Sequence, residues 1–205
     1  MSQLESIISD GVEGQSHGVF IDIGAHDGIT EFNGKPTCNV YKYACEGWSG
    51  VMVEPNPWIF AKLAEHYATL PRVLLVRCAV AGVRGHGTLF GWKDPAIGCS
   101  SLDEATAHRE AVTHGLSECV HIRVPLLSPS DVICIAGSHI DLLSIDAEGS
   151  DASIINAWPF RDCKPRVIVC EINKLSWTDQ ADERIFSYGY NRVFTDDINR
   201  VWFRS

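Results

Sequence analysis

An open, doubly wound α/β sheet is the fold that this chain predicts. Three observations point to it: five short Val- and Ile-rich runs, helical periodicity between them, and a closing pair of strands around a tight turn. Strands covered by helices on both faces read as continuous apolar runs, whereas strands with one wet face alternate. The 205 residues are 45% hydrophobic, with no internal repeat, low-complexity tract or linker, so a single domain over 1–205 is expected.

The runs fall at 18–23 (GVFIDI), 50–54 (GVMVE), 73–80 (VLLVRCAV), 140–146 (IDLLSID) and 166–172 (RVIVCEI). After the second, Asn56 can cap a helix with Pro57 in its first turn; Ile59, Phe60, Leu63, Tyr67 and Leu70 then recur at three- and four-residue steps. Ser101 to Glu104 reads as a capping box and Gly115 as a stop, which predicts a helix over 102–114 with a thin apolar stripe. A strand follows from Val120 to Leu126. Ser176 to Asp179 opens a further helix ending near Gly189, and strands 191–195 and 199–204 flank Asp196, Asp197 and Ile198 as an antiparallel hairpin.

Composition removes several function classes. With 26 acidic against 17 basic residues the net charge is −9, which disfavours nucleic acid as a partner. No run approaches the roughly 18 to 20 apolar residues of a membrane span, and the start MSQLESIISDGVEG lacks a basic, then apolar leader, so a cytoplasmic protein is expected. The eight cysteines form no CxxC pair; Cys78, Cys134 and Cys170 lie in apolar runs and are expected to be buried, reduced thiols. Apolar Leu4, Ile7 and Ile8 could pack on this subunit or on a second copy, leaving a homo-oligomer open.

In an open α/β sheet ligands bind beyond the carboxyl ends of the strands, so chemistry is sought there. The first strand ends in Asp22-Ile23-Gly24-Ala25-His26-Asp27-Gly28, where glycines allow a sharp turn and close approach of a ligand. The spacing is GxxxG and not the GxGxxG of dinucleotide sites. Glu54 ends the second strand, before Pro55, where an acid can accept both hydroxyls of a ribose; it lies 26 residues beyond Gly28, which an insertion at 31–38 would explain. Asp146, Glu148 and Asp151 follow the fourth strand, and Glu171 ends the fifth.

Together VFIDIGAHDG at 19–28, GWSGVMVEPNP at 47–57, IDLLSIDAEGSD at 140–151 and PRVIVCEINK at 165–174 resemble the FkbM-type family of class I methyltransferases, which use S-adenosylmethionine (SAM). The resemblance covers about residues 17–205. It implies a Rossmann-like, seven-stranded, mostly parallel sheet of order 3-2-1-4-5-7-6 with the hairpin at one end. It further implies that Asp22, Gly24, Ala25 and Gly28 surround the methionine part of SAM, that Glu54, next to Pro55, holds the ribose, that Ala79 borders the adenine, and that Asp146 and Glu148 face the methyl and the acceptor. His26 stands where relatives carry Asn: it either reaches the SAM carboxylate or satisfies a backbone group in its turn. Asn33 and Asn39 are rival candidates for another family asparagine, and Ser144 replaces a common Lys.

The function expected is O-methylation of a small molecule or glycan hydroxyl, releasing S-adenosylhomocysteine. Asp146 is the first candidate base, followed by Glu148, Glu171 and His26. No metal ligand is assigned; a divalent cation joining Asp146, Glu148 or Glu171 to a diol acceptor is the less favoured variant. Residues 91–129 are in excess of the sheet and are read as a lid or acceptor-recognition segment, with Trp92 as a stacking surface. Two rival functions are a nicotinamide-dependent oxidoreductase and a SAM-binding protein without catalysis.

Overall fold

A computed structural model describes residues 3–29, 31–32, 35–36, 38–116, 119–137, 139–172 and 177–205. In chain order its elements are α1 (Gln3–Gly11), β1 (Val19–Ile23), β2 (Glu31–Phe32), β3 (Lys35–Pro36), α2 (Tyr41–Cys45), β4 (Ser49–Val53), α3 (Pro57–His66), β5 (Val73–Val76), β6 (Ala79–Val80), β7 (Gly85–Gly91), α4 (Glu104–His114), β8 (Val120–Leu127), α5 (Pro129–Ala136), β9 (Leu142–Ile145), α6 (Asp151–Ala157), β10 (Val167–Glu171), α7 (Asp179–Ser187), β11 (Tyr190–Thr195) and β12 (Asn199–Arg204).

The central sheet runs β5-β4-β1-β9-β10-β12-β11. Counted over its own seven strands in chain order, this is the expected 3-2-1-4-5-7-6. The first five strands are parallel, and β12 enters antiparallel between β10 and β11. The chain moves outward from β1 to β5 and returns to β9 on the other side of β1, so the switch in strand order falls between β1 and β9. Asp141 fixes their register, its buried carboxylate accepting the Val19 amide at 2.9 Å.

Both faces are covered, as the continuous apolar runs require. Ile21, Ile23, Val51, Val53, Leu143 and Ile168 pack against Val132, Ile154, Ile155 and Ile185 of α5, α6 and α7. Phe20, Met52, Leu142 and Val169 point the other way, against Ile8, Tyr43 and Leu63 of α1, α2 and α3. Leu4 and Ile7 join that second layer, so the apolar N-terminal positions pack on their own subunit.

Several expectations need correction. The run 73–80 is not one strand: Val73–Val76 borders the main sheet, and Ala79–Val80 joins a second sheet of order β6-β8-β7. Asp103 and not Ser101 caps α4, accepting the Thr106 amide at 2.9 Å, so the helix starts at Glu104. Ser176 lies outside the described residues; the N-cap position of α7 is Thr178. Cys134 is exposed because it falls on the outer side of α5, while Cys78 and Cys170 are buried; all eight cysteines are free. No helix among the described residues is long and apolar enough to cross a membrane.

Trp158 is fully buried between α6 and the sheet, with its indole N–H donating to the Cys163 carbonyl at 3.1 Å. Trp158→Ala is expected to cost about 3–5 kcal/mol in urea unfolding. Exposed Leu74→Ala should change stability by less than about 1 kcal/mol.

Candidate active site

The first strand hands its chain into the site through a turn that only glycine can make. Gly24 has φ +82°, and a Cβ there would lie 1.7 Å from the Asp146 carbonyl oxygen. The Gly24 and Ala25 amides both donate to the Val53 carbonyl, at 2.9 and 3.0 Å, and the Asp146 amide donates to the Ile23 carbonyl at 2.8 Å. The ends of β1, β4 and β9 are thus tied into one rim. Above it opens a cleft of about 1290 Å³, larger than the roughly 300 to 1,000 Å³ of an ordinary small-ligand site.

Asp22, Gly24, Ala25, His26, Glu54, Pro55, Ala79, Asp146, Glu148 and Glu171 all line this cleft. Gly28 does not. It closes the turn instead, with φ +78° and its carbonyl accepting the Tyr67 hydroxyl at 3.1 Å.

Glu54 is buried, yet both its oxygens are met: one accepts the His26 amide at 3.1 Å and the other the Asn56 amide at 2.8 Å. Each oxygen keeps a lone pair for a further donor. Burial outweighs the two amides and pushes the carboxyl up to about 7. Burial likewise pushes Asp22 up to about 7, with neighbouring Ser144 opposing the shift. Asn39 donates to the hydroxyl of Ser144, the register partner of Asp22, at 3.2 Å, so the three lie together on the cleft floor. This places Asn39 beside the site; its rival Asn33 lies outside the described residues. Ser144, marked by the sequence only as a departure from the family, and Asn39, a candidate for its asparagine, form a polar support.

Asp146 opens to solvent through the cleft, but protein crowds its carboxylate and raises its pKa. One of its oxygens lies within 4.8 Å of an oxygen of Glu148 and of Glu171. Carboxylates this close repel one another, which favours holding a proton among them. Burial raises Glu171 and Glu148 as well, with the charge of Asp146 adding to both. Glu148 adopts φ +46°, in a turn held by buried Asp151, whose carboxylate accepts the Ala147 and Gly149 amides at 2.8 and 3.1 Å. Asp151 therefore shapes the loop from behind, the role open to it as a helix-start residue.

His26 divides its two ends. Its amide holds Glu54, its Nδ1 lies 3.5 Å from an Asp27 carboxylate oxygen, and its buried Nε2 has no hydrogen-bond partner among the described residues. Glu171 Oε2 is in the same condition. Among the described residues no backbone group of the turn is seen bonded to the ring, and the unpartnered Nε2 is left for a ligand.

Asn56 does more than cap α3. It is buried, and besides accepting the Trp58 amide it donates to the Trp92 carbonyl at 2.9 Å and to the Ser100 hydroxyl at 3.0 Å. Trp92, expected to offer a stacking surface, is instead only 3% exposed.

A parallel switch-point cleft with a glycine turn on the first strand and acids on the next strand ends defines the SAM-dependent class of Rossmann-like methyltransferases. The family model described as Methyltransferase FkbM domain matches residues 22–198, and the chain belongs to that family. Among solved structures it is similar to a precorrin-6y C5,15-methyltransferase from Geobacter metallireducens, with TM-score 0.51 and 14% identity over 98% of this chain and 87% of that one. It is also similar to a precorrin 8w decarboxylase from Methanobacterium thermoautotrophicum, with TM-score 0.50 and 11% identity over 100% of this chain and 90% of that one. At such identities the likeness is one of fold. No curated protein matches the chain in sequence. Membership of a methyltransferase family sets aside the nicotinamide reading, which the GxxxG spacing already opposed.

SAM is the cofactor, and the residues present fit it. Gly24 and Ala25 present backbone to the cleft, Glu54 retains acceptor capacity at a strand end, and buried Ala79 and Val80 give an apolar wall.

Two tests follow from the geometry. Gly24→Ala should weaken SAM binding by at least about 100-fold in calorimetry, since the Cβ must displace the Asp146 backbone. Asp22, Glu54 and Asp151 are each raised to about 7 from unfolded values near 4. Their stabilising contribution is full below pH about 4 and is lost as pH rises through about 7. The ligand-free chain should therefore melt at a higher temperature at pH 5.5 than at pH 8.

Proposed function

We propose that the chain transfers a methyl group from SAM to a hydroxyl oxygen of a small-molecule or sugar acceptor. The observation that carries this reading is the carboxylate cluster of Asp146, Glu148 and Glu171, one oxygen of each within 4.8 Å of the others, at the ends of adjacent central strands on the open side of the glycine turn. In this reading Asp22, Gly24, Ala25, His26 and Asp146 surround the methionine part of SAM. Glu54 accepts the ribose hydroxyls beside Pro55, and Ala79 borders the adenine.

SAM supplies a methyl group on a positively charged sulfur. The chain must hold the acceptor in line with it, which can be worth roughly 7–11 kcal/mol, and remove the acceptor proton, worth about 10²–10⁴ in rate. A carboxylate raised toward neutrality by its surroundings is a better base for a hydroxyl than an exposed one. Asp146 takes that role, Glu171 beside it positions it, and Glu148 and His26 border the acceptor. No step requires a metal. Residues 91–129 serve acceptor recognition, supported by Cys99, Ser100, Leu102, Glu110 and His114 lining the same cleft.

The test is methyl transfer from labelled SAM to a panel of hydroxyl and amine acceptors. Asp146→Asn is expected to lower kcat by about 10²–10⁴ on a hydroxyl acceptor. Glu171→Gln should lower kcat by about tenfold or more while the acceptor KM changes by less than about threefold, the mark of a positioning residue. Unchanged kcat in both variants, or methylation of amines alone, would contradict this chemistry; SAM binding without turnover on any acceptor would identify a binding protein.

A further inference from the structure

We infer that Cys99, Glu110 and His114 form a binding site for a zinc-class divalent cation on the acceptor side of the cleft. One ligand atom from each residue, the thiol sulfur, a carboxylate oxygen and a ring nitrogen, lies within 4.8 Å of the other two. Glu110 Oε2 and His114 Nε2 are 3.3 Å apart. Two ligands each about 2.0–2.1 Å from zinc, seen at the tetrahedral angle, stand about 3.3 Å apart. That pair already has the spacing, and only the sulfur must close in.

The local structure explains why these three meet. Glu110 and His114 are four residues apart on α4, so they share one face of its last turn. Cys99 comes from the loop before the helix, which is held on both sides: the Ser100 amide donates to the Gly98 carbonyl at 2.9 Å, Asn56 grips the Ser100 hydroxyl, and Ser101 pairs with Phe90. A tethered loop thus presents sulfur to a pair of helical ligands. As a helix-surface ion pair, Glu110 and His114 alone would add little to stability, and that reading gives no part to Cys99.

The donor set selects the ion. Sulfur, imidazole and one carboxylate suit zinc, whereas magnesium and calcium prefer oxygen alone. Three protein ligands leave a fourth position, and because all three residues line the cleft, that position faces the space bordered by Glu148 and Asp146. Binding would release the thiol proton to water and clamp the 98–101 loop to the end of α4. The neighbouring oxygen cluster Asp146, Glu148 and Glu171 belongs to the proposed acid–base site and has no part in this one. The inference stands apart from the choice of methyl acceptor.

The sequence signal was the i,i+4 spacing of Glu110 and His114, which a search for CxxC and His pairs does not see. The test is cobalt(II) titration of the full chain, stripped of metal and reduced, followed by absorption spectroscopy. One equivalent should produce a thiolate-to-cobalt charge-transfer band with the visible bands of a four-coordinate ion, and zinc should displace it. Cys99→Ser should abolish the charge-transfer band, and His114→Ala, at a half-exposed helix end, should weaken cobalt binding at least about tenfold, both with unchanged circular dichroism. No charge-transfer band at excess cobalt, or the same band in Cys99→Ser, would overturn the site.

Discussion

The contact between Gly24 and the carbonyl of Asp146 holds the functional end of this molecule together. With φ +82° and no side chain, Gly24 lets the end of β1 lie against the end of β9, while its amide and that of Ala25 converge on Val53 at the end of β4. Three strand ends meet with no side chain between them. The acids those strands carry, Asp22, Glu54 and Asp146, are therefore delivered to one rim by backbone geometry. A glycine turn of this kind shapes a cleft and sets the charge around it at once.

Concentrating carboxylates in a poorly solvated rim carries an electrostatic cost, and the structure meets it in two ways. Glu54 and Asp151 are each given two backbone amides. Asp146, Glu148 and Glu171 are instead clustered, with oxygens within 4.8 Å of one another, where burial raises all three. The first device fixes carboxylates as acceptors; the second favours the protonated form within the cluster.

The centre of the main sheet was legible because β1, β4, β9 and β10 are buried on both faces and so keep continuous apolar runs. The exception is instructive. The run 73–80 looks like one strand, but its chain leaves the edge of the sheet after Val76, and Ala79 and Val80 pair with β8. Hydropathy does not register which partner a strand chooses. Short helices were harder: α5 begins with Ser128, Pro129 and Asp131, a full capping box, but its eight residues hold too few turns for a clear period. At the site, the strand-end acids were legible from position alone. The tether of Asn56 to Trp92 and Ser100, and the floor of Asn39 and Ser144, join residues 36 to 105 positions apart, and one sequence carries no sign of such pairs.

The two structural likenesses span a methyltransferase and a protein titled a decarboxylase, so the sheet alone does not specify the reaction; membership of the FkbM methyltransferase family does that. What most needs direct proof is that Glu54, held by His26 and Asn56, is the hinge of cofactor recognition. Calorimetric titration with S-adenosylhomocysteine at pH 8, comparing the wild-type chain with Glu54→Gln, measures this without any acceptor. Binding by the wild type that weakens at least about tenfold in the variant is the expected result. Equal affinity in the two proteins, or no binding by folded wild type, would contradict it.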